Sequence, residues 1–387
     1  MASSLNDPAR AGRYQPQPAG YRAFVPAPLP PDPPVRMTDD LQGLLSTADR
    51  ELGRLDGSVL TLPNPDLFVR MYMRKEAVLS SRIAGTETTL QDLLSAESKL
   101  VPGPAAGNVG EVVNYVVAMT NGLARLREHP VSVQLMRETH AELMRGALVP
   151  GELRTTQTWI GRSGATVAEA TFIPPPPGEV PNALGELDTF LRAAHALPAL
   201  IAIGLAHAQF ESIQPFLGGN GRVGRLLITF LLVHTGTLHK PVLYLSQYLG
   251  RHRRAYHEQL QAVRDRGDWE SWLAFFLTGV AEVSADATET ARRIHVMREE
   301  HRKAVTERLG RAAGNGHKVL DSLFDRPIVS VEAIRTLTGT TYPAANALTA
   351  RLEDLGVLTE ITGQLRHRRF RYDPYLTLFA CEGAATA

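Results

Sequence analysis

Leu41, Leu44, Leu45, Leu52 and Leu55 recur at helical spacing, which lines them along one face of an α-helix. The same periodicity predicts helices over 38–55, 66–100 and 108–128, and again over 181–196, 198–213, 222–236, 245–264 and 268–310. Two breaks interrupt it. Over 149–178, Gly151, Gly161, Gly164 and the run Pro174 to Pro177 bracket the β-capable stretches Thr158-Trp159-Ile160 and Ala170-Thr171-Phe172-Ile173, which predicts a hairpin flap over 151–177. At 217–221 a glycine-rich loop separates two apolar helices. The prolines between Tyr14 and Arg36 cannot continue a helix, so the N-terminus is expected to be an extended arm lying along the body. Past Gly314, helices near 316–324, 330–337 and 342–355 precede strands around 357–362 and 368–372, the element order of a winged helix-turn-helix. The expected fold class is mainly α, a helical bundle with a β-hairpin flap and a C-terminal winged module. The expected division is an arm (1–36), an N-terminal helical region (37–130), a core (131–312), the winged module (313–376) and a tail (377–387).

At 387 residues the chain is long enough for two or three cores. A formal net charge of +1 gives no global pull toward nucleic acid or membrane. The single cysteine, Cys381, excludes an intramolecular disulfide and a cysteine-based zinc site, which fits a reducing cytoplasm. No apolar run of export-signal or membrane-spanning length is visible, so a cytoplasmic location is the expectation.

Chemistry concentrates between Phe210 and Arg225. An apolar helix ends before Pro215, three glycines cluster, and a new helix starts with Arg222 and Arg225 three apart on one face. The free N–H groups and dipole of that helix start form an anion site, and the arginines add fixed charge. A di- or triphosphate is the natural guest. The bland alternative is a glycine-rich turn with a surface arginine pair.

The full string Gln214-Pro215-Phe216-Leu217-Gly218-Gly219-Asn220-Gly221-Arg222-Val223-Gly224-Arg225 resembles the signature of the Fic family. Likeness extends to Tyr21-Arg22-Ala23-Phe24-Val25-Pro26, to Glu76-Ala77-Val78-Leu79-Ser80-Ser81, to the flap and to the C-terminal module, and so covers nearly the whole chain. The resemblance implies a Fic-type bundle that moves AMP, or less often another phosphate-containing group, from a nucleotide such as ATP onto a protein hydroxyl. It implies that Gly219, Asn220 and Gly221 form the anion hole and that Arg222 and Arg225 hold the phosphates. It further implies a flap that aligns the target by strand addition, with Thr158, Trp159 and Phe172 as candidate contacts, and it makes a homodimer the expected assembly.

Three positions depart from the family pattern. Gln214 stands where the family has its histidine base, and an amide has no useful basicity near neutral pH. Gly218 stands where an Asp or Glu would hold Mg²⁺, so no metal ligand is assigned and the cation is not expected to be held as in relatives. In the inhibitory string Ser80-Ser81-Arg82-Ile83-Ala84-Gly85, Ala84 replaces the glutamate that would pair with the second arginine, which predicts a free Arg225. Independent decay and substitution by design are the alternatives that the sequence leaves open.

His207, two turns before Gln214, is expected to be structural, Glu211 to brace the loop, and Tyr244 and Tyr248 to pack in the core; Tyr256 has no clear role. Arg366, Arg368, Arg369 and Arg371, with His367, form a positive cluster on the wing that could meet DNA phosphates, or the module could dock protein. Three functional readings follow. One is a nucleotide- or phosphate-binding pseudoenzyme that senses a ligand. Another is altered transfer or ligation chemistry on a nucleotide phosphate, with an already nucleophilic carboxylate or amine of a small molecule or protein. The third is residual protein AMPylation.

Overall fold

The computed structural model describes residues 7–62, 64–97, 107–147, 149–162, 164–193 and 196–379. Cys381, residues 1–6 of the arm, 98–100 of the helix expected over 66–100, 194–195 of that over 181–196 and 380–387 of the tail lie outside these residues.

The arm is not simply extended. Strands β1 (Gly12–Pro16) and β2 (Arg22–Pro26) pair antiparallel, with Tyr14 opposite Phe24, because Gln17 to Tyr21 closes a turn that the proline count had hidden. The hairpin is fastened to the body. Buried Arg10 pairs with Glu270 at 2.8 Å, and Phe24 N–H donates to Ile173 at the base of the flap.

Helix α1 (Asp39–Leu60) is N-capped by Thr38 and packs along the 41-residue helix Trp269–Leu309, burying Leu41, Leu52 and Leu55 as their spacing requires. The helix expected over 66–100 is two, α2 (Pro65–Ile83) and α3 (Leu90–Glu97), because the chain turns at Ala84 and at Gly85, whose φ of +96° is open to glycine. After α4 (Asn108–Arg125) comes a helix absent from the sequence expectation, α5 (Val133–Leu143), capped by Ser132. Among its described residues the flap contains one antiparallel bridge, Ile160 to Phe172, rather than a regular ladder.

Helix α6 (Val180–Arg192) leads into α7 (Ala199–Ile213) and α8 (Asn220–His234). Thirteen residues of α7 are buried, so the helix is apolar on nearly every side and runs through the centre of the core. The next segment divides at His252 into α9 (Ser246–Arg251) and α10 (Arg253–Arg266), followed by α11 (Trp269–Leu309).

The C-terminal region comprises α12 (Ala313–Leu323), β3 (Ile328–Ser330), α13 (Val331–Thr338), α14 (Tyr342–Asp354), β4 (Thr359–Glu360), β5 (Arg369–Arg371) and α15 (Asp373–Thr377). Strand β3, which the sequence reading omitted, pairs with β5 in a three-stranded antiparallel sheet of order β3-β5-β4. This region rests on α2 through the Arg70–Asp325 ion pair and the Tyr72–Phe379 ring contact. Among the described residues, no helix is long and apolar enough to cross a membrane.

Candidate phosphate-binding site

The site is the turn between the two most buried helices. Helix α7 stops at Gln214 in the left-handed region, φ +47°, and Pro215 prevents continuation. A non-glycine residue is costly there and needs fixing from several sides. Arg154 supplies much of that fixing: its Nε donates to Gln214 O at 2.7 Å, its Nη2 to Pro175 O, and its own N–H to Pro215 O. Burial pulls the Arg154 guanidinium down to about 10. Arg264 repeats the device one turn earlier, donating to Glu211 O and Ser212 Oγ while its guanidinium lies 3.7 Å from the Phe172 ring centre.

The far end of the loop starts α8. Gly219 has φ +73°, and a Cβ there would lie 2.9 Å from Met144 Sδ, so both conformation and space call for glycine. Asn220 closes the turn on itself: its Oδ1 accepts from Phe216 N at 2.9 Å and its Nδ2 donates to Phe216 O at 2.8 Å. His140 of α5 stacks on Phe216 with centroids 3.8 Å apart. Its Nδ1 accepts from Gly151 N–H, which places the proton on Nε2 facing Gly218 O at 3.1 Å. Burial pushes His140 down to about 4, so it is neutral near pH 7 and joins loop to flap.

The structure brings Gln214, Gly219, Asn220, Gly221, Arg222 and Arg225 together, but it corrects the reading of Arg225 as free. Arg225 is buried; its Nε donates to Ser80 Oγ at 2.7 Å and its Nη2 to Ser80 O at 2.8 Å. The residue of α2 that meets it is therefore Ser80, while Ala84 and Gly85, one turn later, are exposed at the helix end. Glu76, one turn earlier, is buried; its carboxyl is pushed up to about 7 by burial, against opposing effects of Ser246 and Arg225. Arg222 is also engaged, pairing with the half-exposed Glu111 at 3.0 Å. Each arginine still has donors left over: Arg222 Nε is buried without a partner, and Arg225 Nη1 lies beside Gly221, 3.0 Å from where a Cβ would stand.

Glu211 is buried beneath α8. Its Oε2 accepts from Gln214 Nε2 at 2.9 Å, so it does brace the loop, and burial raises its carboxyl against the pull of Arg225 and Arg264. His207 is enclosed: one ring nitrogen faces Gly224 O and the other Tyr256 Oη, both at 2.9 Å, and burial lowers it to about 4, which gives Tyr256 a structural partner. Tyr244 and Tyr248 are buried.

Carboxylate oxygens that could meet a divalent cation are few at this loop, and one of them, Glu211 Oε1, is buried without a partner. Gly218 brings no side-chain oxygen and its carbonyl faces His140, Glu211 holds Gln214, and Glu111 holds Arg222. Among the described residues, no three His, Cys, Asp or Glu side chains converge as metal ligands.

The flap touches the loop at its root rather than its tip. Trp159 is exposed but its indole N–H is bonded to Ala165 O within the flap, and Thr158 O accepts from Gln157. Phe172 is buried under Arg264 against Phe24, so it is core and not a contact surface for a target. The arginine cluster of the C-terminal region is likewise divided: Arg368 donates to Asn346 Oδ1 at 2.7 Å and Arg371 pairs with Asp373, while Arg366 is exposed and Arg369 lies on β5. The sequence reading missed His140, Arg154 and Arg264; only His140 left a signal, through the Ser132 cap and the spacing of Leu135, Met136 and Leu143.

With this geometry established, likeness to known proteins is informative. Residues 42–124 match the sequence model for the Fic/DOC family N-terminal region, and 130–232 that for the Fic/DOC family. A probable protein adenylyltransferase of Aquifex aeolicus is 27% identical over 190 residues, covering 49% of this chain and 56% of that protein. The protein adenylyltransferase Fic of Culex quinquefasciatus is 32% identical over 142 residues, 36% of this chain and 23% of its own length. The matched region thus spans less than two thirds of either relative. A Fic family protein from Desulfovibrio desulfuricans superposes over 88% of this chain and 97% of its own with a TM-score of 0.57 at 18% identity, a likeness of fold.

Proposed function

Because the chain belongs to the Fic family, we propose that its core binds the phosphates of a nucleotide such as ATP at the start of α8 and serves transfer chemistry other than ordinary AMPylation. The observation that carries this reading is the contrast within one loop. Gly219 to Arg225 retain the turn, the helix start and two arginines with spare donors, whereas Gln214 and Gly218 supply neither a proton acceptor of useful basicity nor a cation ligand. A positioned base contributes roughly 10²–10⁴-fold and a metal clamp several kcal/mol, so attack by an unactivated hydroxyl lacks its two main supports. A nucleophile that needs no deprotonation beforehand does not depend on them.

Ligand sensing is the second reading, favoured by α2. That helix ties Ser80 to Arg225 at one end and Arg70 and Tyr72 to the C-terminal region at the other. A phosphate that competes for Arg225 would loosen a helix on which that region rests.

Calorimetric titration with ATP, GTP, CTP and UTP, with and without Mg²⁺, tests the proposal. The expected result is binding of about micromolar strength for at least one nucleotide, indifferent to Mg²⁺ and weakened on the order of 10- to 100-fold in Arg225→Ala. No binding to any of the four would overturn it.

A further inference from the structure

Both hydrogens of the Gln214 side-chain amide are committed to one residue. Nε2 donates to Glu211 O at 3.1 Å and to Glu211 Oε2 at 2.9 Å. An amide NH₂ has only these two hydrogens, and a carbonyl and a carboxylate oxygen can only accept, so the assignment of nitrogen and oxygen in this side chain is fixed by its partners. Glu211 is itself immobilised: it is buried, and Arg264 donates to its carbonyl. What remains of Gln214 is Oε1, which has no hydrogen-bond partner among the described residues and is not a buried unpartnered atom. At the end of α7 the Gln214 side chain therefore presents a single outward carbonyl oxygen.

We infer that Gln214 Oε1 receives an N–H of an amine nucleophile, so that the acceptor substrate of this site is an amine rather than a carboxylate. The inference rests on the nucleotide-binding reading and decides between the two nucleophiles it leaves open. A carboxylate near neutral pH has only lone pairs to offer, and these would oppose those of Oε1. A neutral amine has N–H groups for Oε1 and a lone pair free to attack. In the step that follows, the nitrogen lone pair attacks the α-phosphorus of a nucleoside triphosphate. A P–N bond forms, the P–O bond to the β-phosphate breaks, and pyrophosphate leaves with the electron pair. The surplus proton on nitrogen passes to water after attack, when it is acidic, and so needs no base of the protein. Gln214 orients the amine; Glu211 is a positioning residue that acts through Gln214.

Hydroxylamine is a suitable probe, because it is small and largely neutral at mildly alkaline pH, with acetate as the carboxylate counterpart. The full chain is incubated with ATP and either compound, and pyrophosphate release and the adenylyl adduct are measured. Hydroxylamine should accelerate pyrophosphate release with formation of a P–N adduct and acetate should not. Gln214→Leu should raise the KM for hydroxylamine by about tenfold, the worth of one hydrogen bond, with ATP affinity unchanged. Glu211→Leu should free the one Gln214 amide hydrogen that the carboxylate holds, seen by NMR as rapid solvent exchange of that hydrogen while the one on the carbonyl of residue 211 stays slow; in the parent both should exchange slowly, and Glu211→Gln, which still offers an acceptor oxygen, should keep both slow. Acceleration by acetate instead, acceleration by neither compound while ATP remains bound, or fast exchange in the parent would overturn the inference. Failure to bind ATP would instead defeat the nucleotide-binding reading.

Discussion

In the rear half of the signature loop, from Gly219 to Arg225, backbone conformation and side-chain contacts all converge on one geometry. Gly219 is left-handed with Met144 against it, Asn220 bonds both ways to Phe216, and the arginines are docked on Ser80 and Glu111. The front half, from Gln214 to Gly218, is held just as firmly, by Arg154, Glu211 and His140, yet it presents only a carbonyl oxygen and a glycine. Both halves are thus held in place, while Gln214 to Gly218 carry no ionisable side chain and no carboxylate.

Restoring the front half tests this contrast with the largest expected effect. Gln214→His with Gly218→Asp should raise transfer of label from α-labelled ATP to protein hydroxyls by about 10²-fold or more, because the scaffold around both positions is intact; a folded double variant that stays silent would break the comparison. Removing a rear-half donor comes next. Arg225→Ala should weaken nucleotide binding on the order of 10- to 100-fold, as expected for loss of a charge-assisted contact, read by calorimetry.

The glycines should differ in the same direction. Gly219→Val meets both a positive φ and the Met144 sulfur and should cost on the order of 1–3 kcal/mol in denaturant unfolding. Gly218→Ala, whose Cβ would have only Met144 Cε at 3.9 Å, should change stability by less than about 0.5 kcal/mol.

The smallest effect concerns pH. His140 and His207 have folded values lowered from 6.5 to about 4 by burial, so the native state favours their neutral forms. The stability they contribute is fully present above pH 6.5 and is lost as pH falls through about 4. Thermal melts across that window should show the decline, and His140→Gln should flatten part of it.

Much of this arrangement was legible in the sequence. The apolar runs of α7 and α8, the intervening glycines and the paired arginines placed the site, since each is a local pattern with a direct backbone meaning. What escaped depends on which side chain faces which across the core. Spacing along α2 could not tell that Ser80 would reach Arg225 through both its hydroxyl and its carbonyl, so the loss of a glutamate at Ala84 read as a freed arginine. Arg154 and Arg264 are solitary charges in sequence that acquire meaning only when they meet carbonyls some sixty and fifty positions away. Helix α5 has a short apolar stripe of Leu135, Met136 and Leu143 behind the Ser132 cap, with the polar Thr139 and His140 filling the rest of that face, and His140 was missed with it. Conversely, Phe172 looked like a flap contact because its β-capable neighbourhood carries no sign that an arginine will cover it.

The central claim, a working phosphate cradle without a cation, is tested most directly by phosphorus NMR of ATP titrated with the protein in EDTA and then in excess Mg²⁺. The phosphate resonances should shift on binding in EDTA, the bound fraction should be the same once Mg²⁺ is present, and Arg225→Ala should need about 10- to 100-fold more protein to give the same shift. Resonances that respond to the protein only when Mg²⁺ is added would contradict it.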